Sequence, residues 1–154
     1  MPTFRETPYG AFNFQVALGD AQGDGAEGSI IGGFSDVSGL GIDVSYSEYR
    51  NGNEKFNTSR KIPNTHKNGD VTLKRGIVGS ADLFDWLKGV RDGTADPRSV
   101  TITLLDEARN PVVIWTLRDA QIMKWNGPTL AAKGGGEVAM EEIVLNHQGL
   151  EIQD

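Results

Sequence analysis

The sequence predicts a mainly β chain, an antiparallel β-barrel or sandwich of about six or seven strands flanked by one α-helix over residues of about 80–91. Three observations carry that expectation. Short runs place apolar residues at every second position, the pattern of half-buried strands. The 154 residues include 20 glycines against 6 prolines, which suits many tight turns and not a linker. One stretch alone repeats its apolar residues at helical spacing. The length fits a single domain spanning residues 1–154.

Phe12 to Leu18 alternates and reads as the first strand. Residues 19–28 hold four glycines and three acids, and form a flexible acidic hairpin in this reading. The ligand spacing and exiting helix of a calcium loop are both missing there. Ser29 to Phe34 returns as a strand, and no Gly-Lys-Ser/Thr follows its glycines to make a phosphate loop. Ile42, Val44 and Tyr46 alternate with Asp43, Ser45 and Ser47, predicting one buried and one wet face. Residues 51–69 show neither period and contain Asn51-Gly52, Pro63-Asn64 and Asn68-Gly69, so a long basic loop is expected. Asp70 to Arg75 alternates again.

Ser80 is placed to cap a helix whose Leu83, Trp86, Leu87 and Val90 form one apolar stripe, with Asp82 in the first turn, Lys88 and Arg91 in the last, and Gly93 closing it. Three long strands follow: Val100 to Leu105, Val112 to Trp125, and Glu137 to Leu145. The segment around Trp115 is apolar on both faces and should be covered on both.

Composition narrows the function classes. Cysteine is absent, which removes disulfides, thiolate metal sites and cysteine nucleophiles. The two histidines, His66 and His147, have no second ligand nearby in sequence and read as surface or interface residues, so neither a metal, a cofactor nor a triad is expected. The N-terminus has no basic start followed by an apolar run, and no stretch approaches a membrane span, so no direct membrane anchor is expected and the chain reads as cytosolic until something releases it. The formal charge of −6 hides an asymmetry: residues 50–76 carry seven basic side chains against two acidic ones. Such a segment is either a solvated loop or a surface for an acidic partner. Nucleic acid is disfavoured, because the chain is acidic overall and Phe56 is the segment's single aromatic. Asp106, Glu107, Glu141 and Glu142 offer carboxylates in pairs, but acids at a turn and on a strand are commonplace, and the chain is not read as an enzyme.

Gly33 to Leu40, Tyr49-Arg50-Asn51-Gly52, Lys61-Ile62-Pro63, Val71 to Gly76, Leu83 to Leu87, Val100 to Asp106, Trp115 to Ala120, Lys124 to Pro128 and Glu142 to Leu150 together resemble, in order, the tail-tube family of contractile phages and phage-tail-like injection systems. The departure lies at 19–28, longer than the family pattern, which leaves open the length of one tube hairpin. The resemblance implies a helix-flanked barrel assembled as homohexameric rings, stacked into a hollow inner tube that a sheath drives through a target envelope. It also implies baseplate and tube-end proteins as partners, cargo in the lumen, and assembly in the bacterial cytoplasm for a particle that is released or acts outside the cell. The type VI secretion tube protein shares this fold and is the nearest alternative; a monomeric β-barrel binding module is a more distant one.

Two sets of residues follow as expectations. Arg50, Lys55, Arg60 and Lys61 are expected at a contact between copies, facing acids from residues 1–49 or from 137–142, Glu141 and Glu142 among them. Asp43, Ser45, Ser47, Thr101 and Thr103 are candidates to face the lumen, where small hydroxyls and acids let cargo pass without sticking.

Overall fold

The computed structural model describes residues 5–19, 30–53, 55–77, 81–134 and 138–153. The chain forms β1 (Phe14–Leu18), β2 (Ile30–Gly32), β3 (Phe34–Ser38), β4 (Ile42–Tyr49), β5 (Arg60–Asn68), β6 (Val71–Gly76), α1 (Asp82–Arg91), β7 (Arg98–Leu105), β8 (Pro111–Asn126), β9 (Met140–Asn146) and β10 (Gly149–Gln153). The count exceeds the expected six or seven because Gly33 separates β2 from β3, and because β5 and β10 were not anticipated. Residues 20–29, most of the expected acidic hairpin, lie outside the described residues, while β1 and β2 on either side pair antiparallel.

Strand order is β2-β1-β7-β8-β9-β6-β3, with β10 also on β8, and every pairing is antiparallel. Of barrel and sandwich, the sandwich is observed. Its two layers share β8: residues 114–118 pair with β10, and 121–126 pair with β9. Strands β9 and β10 therefore lie end to end along one edge of β8. Both tracks bend at the same level, β8 at Asp119 with φ 51° and its neighbour between Asn146 and Gly149, where the Gln148 amide donates to the Arg118 carbonyl at 2.9 Å.

The core follows from period-two patterning. Val16, Leu18, Val100, Ile102 and Leu117 from one layer meet Val71, Leu73, Ile122, Ile143 and Leu145 from the other. Each fully buried aliphatic side chain stabilises the fold by about 1.5–3 kcal/mol. Helix α1 adds Leu83 and Trp86 to this cluster, with Leu87 and Val90 half-buried beside it, so the predicted stripe is the packed one. Phe84 meets Trp125 edge to face at 5.2 Å between centroids. The helix ends as expected: Gly93 takes φ 101°, its amide donates to Val90 and the Thr94 amide to Gly89, which satisfies two last-turn carbonyls. At the other end the N-cap position is Ala81, with no side-chain cap, and Ser80 lies outside the described residues.

Four expectations are corrected. Residues 60–68 of the expected loop are strand β5, held by pairing with β4. Strand β4 is exposed at all eight positions, because that pairing is its one ladder and neither face meets the core. His147 is buried, being two residues beyond Leu145 and on the same inward face, and neither ring nitrogen has a partner among the described residues. Around Trp115 the cover is partial, since Val113 to Thr116 are all half-buried.

Candidate assembly surface

Among the described elements, the β4–β5 hairpin is left uncovered by its own fold, with every strand position but Asn68 exposed. Register puts Ile42, Val44, Tyr46 and Glu48 on one face with Asn68, His66, Pro63 and Lys61, and Asp43, Ser47 and Tyr49 on the other with Lys67, Ile62 and Arg60. The first face is an apolar stripe, with Ile42, Val44 and Tyr46 exposed by 46%, 48% and 57%. The second is mixed: Tyr49 and Ile62 are exposed there beside polar groups, Ser45 Oγ donates to the Thr65 carbonyl at 2.7 Å, and Asn64 Nδ2 donates to Ser47 Oγ at 3.1 Å. A two-stranded hairpin with nothing against it is marginal in water.

Its root and tip are both built. At the root, Gly39 has φ 89°, and a Cβ there would collide with the Asp70 carbonyl oxygen; the Gly69 amide donates to the Gly41 carbonyl at 2.9 Å. At the tip, Arg50 donates from Nε to the Phe56 carbonyl at 3.1 Å and from Nη2 to Asn57 Oδ1 at 3.2 Å, while the Tyr49 hydroxyl donates to Asn51 Oδ1. Arg50 thus orders the loop that presents Lys55 and Phe56 to solvent.

On the main sheet, Thr101 and Thr103 are half-buried on the face away from the core. Register aligns them with Ala17 and Gln15 on β1 and with Thr116 and Ile114 on β8. Strands β2 and β3 terminate the sheet path, and β3 departs from regular register between Phe34 and Asp36.

The sequence profile of the T4-like virus tail tube protein gp19 matches residues 10–151. This chain belongs to that tail tube family. The tail tube protein is similar in structure to a chain of the PVC sheath-tube complex, an extracellular contractile injection system in the extended state, with 26% identity, TM-score 0.81, and 96% of this chain and 93% of that one covered. It is also similar to a chain of the 6-fold symmetrised baseplate of the anti-feeding prophage, with 24% identity, TM-score 0.83 and 97% of both chains covered. An Hcp protein shares the fold at 8% identity and TM-score 0.55, over 92% of this chain and 96% of that one. No curated protein sequence is significantly similar to this one.

The predicted contact residues of the tail tube protein divide. Arg50, Lys55, Arg60 and Lys61 all lie on the hairpin or its tip loop. Glu141 is corrected: it is 5% exposed and bound inside the fold, accepting from Arg75 Nε and from Trp125 Nε1 at 3.3 Å. Glu142 is half-buried, 3.9 Å from Lys74 Nζ. Glu141 and Glu142 do meet the basic segment, but within one chain and at its Lys74-Arg75 end, while Glu137 lies outside the described residues. The two sets of lumen candidates stand on different sheets, β4 and β7.

Sequence reasoning missed Arg75 itself. It is 4% exposed, it bonds Glu141 and both oxygens of Asp82, and it lies over the Phe34 ring. Burial opposes its charge, but the hydrogen bonds it donates to Asp82 and Glu141, together with their negative charges, outweigh that and hold its pKa above the ordinary value. The signal was present in the alternation. Val71, Leu73 and Arg75 share one face, as do Leu145, Ile143 and Glu141, and these residues are cross-strand partners in that order. An opposite-charge pair at the inward positions of two strands marks a buried ion pair.

Proposed function

We propose that this tail tube protein forms homohexameric rings that stack into the hollow inner tube of an extracellular contractile injection particle. A sheath surrounds the tube, baseplate and tube-end proteins close it, and cargo occupies the lumen. Its role is structural and not enzymatic. Its subunits assemble in the bacterial cytoplasm before the particle acts outside. The observation that carries this reading is the β4–β5 hairpin, whose two uncovered faces suit contacts between copies of one chain. A heterologous contact that closes makes a ring, and one repeated along an axis makes a tube.

In this reading Arg50, Lys55, Arg60 and Lys61 meet acidic side chains of a neighbouring copy. Exposed pairs contribute about 0–1 kcal/mol each, so they act through register and repetition. The polar face of β7, with Thr101 and Thr103, and the polar face of β4, with Asp43, Ser45 and Ser47, line the lumen. The extracellular assignment is favoured over type VI secretion by likeness to the PVC sheath-tube complex, since the Hcp likeness concerns the fold alone.

Electron microscopy of the purified protein tests the reading: stacked rings are expected, and a stable lone monomer overturns it. The double variant Arg60→Glu/Lys61→Glu should stay folded by circular dichroism yet form no tubes. Normal tubes from it would remove these two residues from the contact.

A further inference from the structure

The hairpin tip and the open side of the sandwich fit one another. Phe56 is 80% exposed between Lys55 and Arg60 on the tip. Away from the tip residues, an apolar groove of about 320 Å³ opens between the layers, lined by Phe14, Val37, Leu40, Leu104 and Trp115, with the exposed Asp36 among its lining. Its lining residues Phe14, Val37, Leu40 and Trp115 pack against the core, so the groove is the uncovered margin of the core itself. Apolar cavities of about 150 Å³ already accept a benzene, and this one has room for a phenyl ring. Asp36 makes no ion pair among the described residues, and its cross-strand neighbour Lys74 is turned to Glu142. A chain cannot fill its own groove. Leu40 precedes the hairpin and Phe56 follows β4, whose eight residues span roughly 26 Å at about 3.3 Å each.

We infer that Phe56 of one copy inserts into the Phe14–Leu40–Trp115 groove of the next copy, with Lys55 and Arg60 set toward that copy's Asp36. The knob and the pocket lie on different surfaces, so the contact is heterologous and propagates. This rests on the proposed tube assembly, and it names the residues that one of its contacts uses.

The absence of cysteine gives a clean background for the test. Phe56→Cys is combined with Ala11→Cys or with Ser35→Cys, both at the groove, and assembled particles are oxidised and run on a non-reducing gel. A ladder of covalent dimers and higher multimers is expected from at least one pair, and neither single variant should give it. Tubes that show no interchain link with either pair overturn the inference while the tube reading stands. A protein that forms no tubes at all defeats the tube reading, and the inference falls with it. If the cysteine variants fail to assemble, hydroxyl-radical footprinting of the unmodified protein reads the same contact. Phe56 and Leu40 should each lose reactivity at least threefold from monomer to tube. A Phe56 as reactive as in the monomer, or one protected while Leu40 stays open, points to another occupant and overturns the inference.

Discussion

Arg75 is the residue on which the helix and one layer depend together, because its guanidinium joins β6, β9 through Glu141, and the first turn of α1 through Asp82. Removing one partner of a buried ion pair leaves the other charge stranded in the interior. Arg75→Ala is therefore expected to destabilise the subunit by about 3–5 kcal/mol in urea unfolding, whereas Arg75→Met combined with Glu141→Met should cost less than Arg75→Met alone. A single-variant loss below about 1 kcal/mol would show that the network carries little. The pair was legible in principle from the alternation of β6 and β9, yet counting charge by segment placed Arg75 with the exposed basic residues. Segment charge says nothing about which side of a strand a side chain takes.

The hairpin shows how a sequence pattern can report a neighbour that one chain does not contain. Ile42, Val44 and Tyr46 alternate as a half-buried strand should, but both faces of β4 are exposed. In the proposed tube the pattern describes the face that another copy covers. Strand β5 was not legible because Arg60 to Asn68 carries a proline and few apolar residues, and its strand conformation comes from pairing with β4. Amide hydrogen exchange should therefore be fast across β4 and β5 in dissociated subunits and slow by at least tenfold in assembled particles. Equal protection in both states would mean that the hairpin stands alone. Gly39→Ala tests its root: the positive φ and the clash with the Asp70 carbonyl should cost about 1–3 kcal/mol, read as a lowered Tm.

For the whole molecule, alternation and the helical stripe gave the class of fold and most of the core, because burial against the chain's own layers sets those periods. The layered arrangement was not legible. It depends on Gly33, which carries the chain from one outermost strand of the sheet path directly to the other, and on β8, which is long enough to serve both layers. Likewise the sequence indicated which segments bear basic charge, but not that Lys74 and Arg75 pair with acids of their own chain, or that Lys55 and Phe56 stand exposed at the hairpin tip. The shared strand has a mechanical meaning. A load applied to one layer passes to the other along a continuous covalent backbone, with β9 and β10 bonded beside it over nearly its full length. Sliding the layers apart then requires breaking a row of hydrogen bonds together, and not merely shearing greasy side chains past one another. A subunit built this way resists being thrust against a barrier, which is the stress a driven tube meets.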